Sequence, residues 1–514
     1  MAVIDGVRHK SALTHPKLVV DHYCQTAARV RKMYVVQGIA SDNRTLRVDD
    51  PDIDTLACAL LERMYYCKIN GEFVAPPVTD RKHIFHCLAA FRGKLLHKFG
   101  CSPSRISPEE FSQMYTGRKR TIYTNAVADY YVYGVTRRDS ISNAFVKCGK
   151  VNPTKAPRCI QPRKPVYNVA VGTFLKHIEH RLYRSVQSTF GSGTPIVLKG
   201  LNASEIATTI VQKWEGFANP VAVGLDAVKF DMHVSENMLA WEHSIYQALY
   251  SNDPELKRLL RWQRKNKGRG FCADGRLRYS VEGRRFSGDM NTALGNCLIM
   301  CAMIYSYAHD RNIAIDLANN GDDCVVFMDR ADLKKFSVGL DEWFYAMGFR
   351  MTVEPPAYRL EEIEFCQMRP INLGNEYVMS RDYLIAREKD SICLFDITSE
   401  GAYRKWMGAV GECGLAIAGG LPVFQAMYSA YCRAGKPGNV LNSLQMQSGF
   451  LMLSRGMESK RRPVSETARF SFFLAYDVTP DEQLALEQYY NELDLTCFNS
   501  EWVDSLSDIY AAPL

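Results

Sequence analysis

The chain has 514 residues, of which 47% are hydrophobic and 23% charged, and a formal net charge of +7. That length exceeds one simple domain and predicts two or three subdomains, while the apolar content excludes a disordered chain. Positive charge clusters at residues 118–120, 147–164 and 261–285 and residues 477–508 are acidic, which favours a positive channel for a polyanion over a uniformly basic surface.

Residues 1–80 carry short mixed patterns without a chemical signature. From Arg81 the spacing of Ile84, Leu88, Phe91 and Leu95 predicts a helix. Arg118, Lys119 and Arg120, flanked by Tyr115 and Tyr123, interleave cations with aromatics as single-stranded nucleic acid requires; a solvated helix face would read the same. Residues 147–165 hold Pro153, Pro157, Pro162 and Pro165, which exclude a helix, among Lys147, Lys150, Lys155, Arg158, Arg163 and Lys164. A stiff basic segment of this kind suits a triphosphate, because guanidinium groups bind phosphate oxygens in bidentate fashion.

Residues 221–225 predict a short buried strand ending at Asp226, with Asp231 five positions on and a helix over 236–250. A carboxylate at the carboxyl end of a strand faces the crevice where ligands bind, although Asp231 could instead cap that helix. Residues 261–285 contain nine basic residues, among them Arg264, Lys265 and Lys267, and read as a phosphate-contacting or simply solvated loop. Ser287-Gly288 predicts a helix start that places Thr292 and Asn296 on one face. A pure core helix would leave Asn296 short of a partner, which favours a hydrogen bond towards a ligand.

Residues 313–318 and 324–328 are apolar runs too short for helices, and they predict a hairpin turned at Asn320-Gly321. Asp322 and Asp323 then stand side by side at its tip. Neighbouring carboxylates repel unless a cation lies between them, and hard oxygen ligands suit Mg²⁺ or Mn²⁺. Asp226 joins them if the two segments, 96 positions apart, are adjacent strands. Further on, residues 331–347 predict one amphipathic helix capped at Gly348, and 349–353 a strand. Residues 361–368 and 377–380 suggest a hairpin, and helical patterns dominate beyond Ser391.

The sixteen cysteines form no C-x-x-C pair, so neither a zinc nor a redox motif is indicated, and free thiols on this scale suit a reducing compartment. The first ten residues lack the apolar core of a signal peptide, and no run reaches the roughly 18 apolar residues of a membrane span.

Three patterns occur in order: Asp226-Ala-Val-Lys-Phe-Asp231, Ser287-Gly-Asp-Met-Asn-Thr292-Ala-Leu-Gly-Asn296 and Gly321-Asp322-Asp323. They closely resemble motifs A, B and C of the RNA-dependent RNA polymerases of positive-strand RNA viruses. With Pro157-Arg158-Cys-Ile-Gln161-Pro162-Arg163 upstream, the wording is most similar to the tombusvirus family of plant viruses. The resemblance implies an α+β right-hand fold of fingers, palm and thumb, the palm built on an antiparallel sheet with flanking helices. It implies an N-terminal extension over 1–80 packing on fingers and thumb, fingers over 81–220, and palm over 221–255. A fingers insertion over 256–286, palm again over 287–370 and a thumb over 371–514 follow.

By the same resemblance, Asp226, Asp322 and Asp323 would hold two Mg²⁺ or Mn²⁺ ions for nucleotidyl transfer. Asp231 and Asn296, with Ser287 and Thr292, would read the ribose 2′-hydroxyl; Lys155, Arg158 and Arg163 would hold the incoming triphosphate. Phe365, Cys366 and Gln367 resemble motif E, which supports the growing 3′ end, and Arg350 or Lys335 could stand in for the motif D general acid. Arg118, Lys119, Arg120, Arg264, Lys265 and Lys267 would contact RNA. Template and product RNA and ribonucleoside triphosphates are implied as partners. So is a viral auxiliary replicase protein, through which the chain would reach membrane-bound replication complexes in the host cytoplasm. A reverse transcriptase would share the three carboxylates but would not need the Asp231 and Asn296 pair, and a non-catalytic RNA-binding subunit would leave the carboxylates without a purpose.

Overall fold

The computed structural model describes residues 1–24, 26–40, 45–436, 449–496, 498, 501 and 502. The acidic stretch at 477–508 and the segment 371–514 lie partly outside the described residues.

Four antiparallel strands lie at the centre: β1 (Pro220–Ala227), β2 (Ile315–Asn320), β3 (Asp323–Asp329) and β4 (Met351–Val353), in the order β2-β3-β1-β4. Alternate residues of β1 and β3 serve two separate cores. Val221, Val223, Leu225, Val326 and Met328 pack with Phe91, Trp241 and Leu298 on one side. Ala222, Val325 and Phe327 pack with Ile206, Trp406 and Met427 on the other. Because both faces are covered, 221–225 is apolar throughout instead of alternating.

The first core is closed by helix α1 (Glu236–Leu249), capped by Ser235, and helix α2 (Thr292–Asp310). Cys297 and Cys301 are buried there, and every described cysteine is a free thiol. Helix α2 begins at Thr292 and not at the predicted Ser287. Residues 287–291 instead turn against the segment before them, with Gln161 N–H donating to Ser287 O at 3.0 Å. Gly288 sits at φ +148°, where a Cβ would come within 3.0 Å of the Gln161 backbone, so this Ser-Gly pair serves a close approach and not a helix start.

Three other expectations change. The predicted helix over 331–347 is a 3₁₀ turn at Arg330–Asp332 followed by Leu333–Ser337 and Leu340–Ala346, broken at Gly339, whose φ is +75°. The late hairpin pairs Met368–Asn372 with Tyr377–Arg381 and does not begin at Glu361, because Cys366 and Gln367 adopt left-handed φ values of 54° and 61° that interrupt any extended run. The helix from Arg81 is two helices, Arg81–Cys87 and Ala89–Phe99.

The basic region 261–285 is also no loop. Helix Pro254–Arg264 leads into a hairpin of Lys265–Cys272 and Gly275–Glu282, and charged residues alternate with buried ones along both arms. The hairpin belongs to a five-stranded sheet with Leu18–His22, Ser142–Val146 and Cys159–Ile160. One face of that sheet packs on helix Ile53–Leu60 through Ile53, Leu56, Leu277 and Tyr279. The first 80 residues thus supply an edge strand and a covering helix here. Two more of their strands, Ala2–Asp5 and Lys32–Val35, join Ile392–Cys393 and Glu501–Trp502 in a separate sheet.

The C-terminal part is helical, with Glu400–Ala418, Phe424–Ala434, Glu466–Tyr476 and Pro480–Glu492 packed around the second core. Among the described residues no helix is long and apolar enough to cross a membrane.

Candidate active site

Strands β2 and β3 meet in a two-residue turn of Gly321 and Asp322, since Asn320 pairs with Asp323. The turn lies one residue later than predicted. Gly321, at φ +92°, takes the first central position, which a type II′ turn reserves for glycine. The Asn319 side chain braces it, Nδ2 donating to Gly321 O at 2.7 Å and Oδ1 accepting from Gly321 N–H at 3.2 Å. Asp322 therefore occupies the turn, while Asp323 opens β3 directly opposite Asp226 of β1.

Opposed residues of an antiparallel pair hold their Cβ atoms about 4.5–5.5 Å apart, so these two carboxylates repel. Burial, followed by repulsion from Asp226 and Asp322, pushes Asp323 up to about 6. Asp322 is raised by burial and by Asp231 and Asp226. Burial raises Asp226 too, against the pull of Arg158 and Lys155. Nearby Glu354, which the sequence did not single out, is pushed to about 7 by burial, then by Glu364, Asp323 and Asp226. Among the described residues no group of three or more His, Cys, Asp or Glu side chains is gathered tightly enough to hold a metal ion as it stands. In donor chemistry, however, the three aspartates fit a hard divalent cation, whose charge would stabilise their ionised forms against the burial that raises all three pKa values.

Asp231 does not cap helix α1, a place taken by Ser235. Its two oxygens accept from Ser287 Oγ at 2.8 Å and Asn296 Nδ2 at 2.9 Å. Asn296 Oδ1 in turn accepts from Arg285 Nε at 3.0 Å, and Arg285 is ion-paired with Glu242, both side chains fully buried. A chain of partners thus fixes the Asp231 carboxylate from the core outward. Thr292 stands apart, its hydroxyl donating to Phe286 O at 2.7 Å to hold the preceding turn.

A crevice of about 300 Å³ joins these parts, with Asp226, Asp231, Asp322 and Ser287 facing Arg63, Lys147 and Arg158. Lys155 is exposed and outside the lining, yet close enough to Asp226 to act against the rise in its pKa. Arg163, predicted beside Arg158, is a correction: its side chain is wholly buried and ion-paired with Asp289. It also donates to Ser140 O at 2.6 Å and Asn266 Oδ1 at 2.7 Å, so its donors face the interior and not the crevice.

Arg63 was invisible in the sequence because it lies in the unpatterned first 80 residues. Its Nε and Nη2 donate to Ala156 O at 3.0 and 2.8 Å, and Nε also to Pro157 O at 2.9 Å, clasping the backbone just before Arg158. Lys229, inside the first motif, has φ +48° and donates to Glu62 O at 2.7 Å along the same wall.

The remaining predicted residues lie outside the crevice lining. Arg118, Lys119 and Arg120 are exposed near the start of helix Gly117–Tyr133, with Lys119 over the Tyr115 ring at 5.1 Å. Lys265 and Lys267 are exposed on the hairpin, whereas Arg264 is half-buried against Glu236. Phe365 is buried, Cys366 N–H donates to Asp323 Oδ2 at 3.1 Å, and Gln367 accepts from Lys389 at 2.9 Å, so this stretch abuts the carboxylates. Of the motif D candidates, Arg350 donates to Lys68 O at 2.7 Å and Lys335 to Asn312 O at 3.2 Å.

Residues 20–498 match a family model described as viral RNA dependent RNA polymerase. The chain is 39% identical over 485 residues to an RNA-directed RNA polymerase of Melon necrotic spot virus, covering 93% of this chain and 61% of that protein. It is 41% identical over 484 residues to the enzyme of the same description from Oat chlorotic stunt virus (isolate United Kingdom), covering 90% and 64%. A third similar protein, the RNA-directed RNA polymerase of Tomato bushy stunt virus (strain Cherry), is 38% identical over 482 residues, covering 93% and 58%. The chain spans 61%, 64% and 58% of the length of these three relatives.

Proposed function

The chain belongs to the viral RNA-dependent RNA polymerase family, and from that premise we propose that it copies RNA from ribonucleoside triphosphates onto an RNA 3′-hydroxyl. The observation that carries this reading is the opposition of Asp226 and Asp323 across one strand pair, with Asp322 in the adjoining turn, where Asp226 and Asp322 line a crevice together with the cationic Arg63, Lys147 and Arg158.

Asp226, Asp322 and Asp323 would hold two divalent ions, Mg²⁺ or Mn²⁺. When bound, such ions lower the pKa of the attacking hydroxyl and neutralise charge on the leaving pyrophosphate. Arg158, with Lys147 and exposed Lys155, receives the triphosphate, and Arg63 keeps Arg158 in place through the carbonyls it clasps. Asp231, oriented by Ser287 and Asn296, accepts a hydrogen bond from the ribose 2′-hydroxyl; a deoxyribonucleotide would forgo that hydrogen bond. The loop at Phe365, Cys366 and Gln367 supports the 3′ end beside Asp323.

In this reading the central sheet is the palm of a right hand, formed by 221–255 and 287–370, and 81–220 with 256–286 are fingers. Residues 371–514 are the thumb, and 1–80 tie fingers to thumb. RNA and ribonucleoside triphosphates are the ligands. An auxiliary viral protein would bring the chain to membrane-bound replication complexes in the host cytoplasm. Template-directed incorporation of labelled ribonucleotides by the purified chain tests the proposal. Synthesis that needs Mg²⁺ or Mn²⁺, prefers ribo- over deoxyribonucleotides and is lost in Asp322→Asn is expected; no incorporation on any primed or unprimed template would refute it.

A further inference from the structure

The open face of the five-stranded sheet carries an arrangement that the catalytic reading does not use. Along Lys265–Cys272 the side chains of Lys267, Arg269 and Phe271 point outward, and along Gly275–Glu282 those of Arg276 and Arg278 do the same. Phe271 is 61% exposed, and Phe145 on the neighbouring strand is 47% exposed. The parallel register pairs Gly270 with Ala144, so Phe271 and Phe145 follow one residue on along neighbouring strands, both on the exposed face. Among the described residues neither ring stacks on another aromatic ring or beneath a cation.

Arg269 stands directly opposite Arg278. Like charges so placed destabilise a strand pair, and among the described residues neither guanidinium has an ion pair to relieve it. Arg276 is paired, with Asp21 at 3.0 Å. The face is also continuous with the crevice. Phe145 and Lys147 lie two residues apart, hence on the same side of one ladder, which Lys147 N–H extends by donating to Arg158 O at 2.8 Å. Lys147 lines the crevice itself.

We propose that this face is a platform for single-stranded RNA, in which Phe145 and Phe271 stack on bases while Lys267, Arg269 and Arg278 neutralise phosphates. Charge complementarity selects a polyanion over an apolar protein surface. The exposed rings select a single strand over a duplex, whose bases are already stacked on each other. The proposal rests on the reading that the chain acts on RNA, but it needs no catalysis.

The test is binding of a short fluorescein-labelled oligouridylate to the full chain by anisotropy over a range of salt concentrations. The double variant F145A/F271A should bind at least roughly 30-fold more weakly, the loss expected for two base stacks, whereas Phe271→Tyr should bind like the parent. Arg269→Gln should reduce the slope of log affinity against log salt by about one. Duplex RNA of equal length should be far less sensitive to the double variant. Both phenylalanines are exposed, so melting curves should match the parent, and incorporation from a preannealed primer and template at saturating RNA should persist. Parental oligouridylate affinity in the double variant overturns the platform, as does an equal loss for duplex RNA. Unchanged RNA binding with altered sedimentation would assign the face to a protein contact instead. A chain that binds through this face yet never incorporates nucleotides sinks only the polymerase reading, and one that incorporates but is indifferent to both rings sinks only the platform.

Discussion

The central sheet and the five-stranded sheet share an unfavourable feature with opposite sign. In one, Asp226 faces Asp323 across β1 and β3; in the other, Arg269 faces Arg278 across the hairpin. Asp226 lines a crevice and Asp323 adjoins it; burial lifts the pKa of both, and repulsion from Asp226 and Asp322 lifts that of Asp323 further. The bases lie on an open face, where water screens them. Folding gains nothing from either pairing, so each points to a ligand of the opposite charge: a compact cation for the converging acids, an extended polyanion for the exposed bases.

The largest effect separating the two sheets should come from the acids. Asp226→Ala or Asp322→Asn is expected to cut nucleotide incorporation by roughly a thousandfold or more, since the divalent ions would be held by these carboxylates. Oligonucleotide binding by anisotropy should be nearly unchanged. Near-normal synthesis by either variant would dissolve the contrast.

Arg158 and Arg163, five positions apart, sharpen it within one segment. Arg163→Met removes the counter-charge of buried Asp289 and should cost about 3–5 kcal/mol of stability, read as a lower Tm. Arg158→Ala should leave Tm in place and raise KM for the nucleotide, because Arg158 is exposed. The reverse pattern would mean that the crevice, not the core, depends on Arg163.

Asp231→Ala should reduce discrimination between ribo- and deoxyribonucleotides by about ten- to 100-fold, as loss of one charged acceptor predicts. Competition between the two nucleotides in one reaction gives the ratio. Unaltered discrimination would confine Asp231 to holding Ser287 and Asn296.

The smallest effects concern stability and pH. The folded pKa of Asp323, about 6, exceeds its ordinary value of 3.8, so between these the native chain keeps a proton that the unfolded chain has released. The stability linked to that proton is present below about pH 4 and is lost as pH rises through about 6. Adding Mg²⁺ or Mn²⁺ should therefore raise Tm more at pH 8 than at pH 5, and Asp323→Asn should raise the metal-free Tm at pH 8 while abolishing the response to cation. An equal response at both pH values would show that the carboxylates do not couple to the ion. On the basic face, Arg278→Gln should raise Tm slightly at low salt and not at about 1 M, where the screening length falls to about 3 Å.

The amino-acid order alone determined the parts whose physics is local. Gly321-Asp322-Asp323 between two short apolar runs specifies a hairpin bearing carboxylates, because glycine can adopt the positive φ of its turn and the runs are too short for helices. Its register slipped by one residue, since Asn320 and Gly321 both tolerate a turn and only pairing with β3 chooses between them. The charge of 261–285 was legible, its alternation along two strands was not read, and the hairpin it forms followed from that period of two.

Tertiary structure decided the rest, because burial and partnership are set by residues far away in the chain. Asp226 and Asp323 meet only because β1 and β3 are neighbours. Arg158 reaches the crevice and Arg163 does not, though both are arginines in one basic run, because Asp289, Ser140 and Asn266 enclose the second. Arg63 joins the site from a stretch with no motif, since hydrogen bonds to the carbonyls of Ala156 and Pro157 depend on position in space and leave no pattern in the sequence.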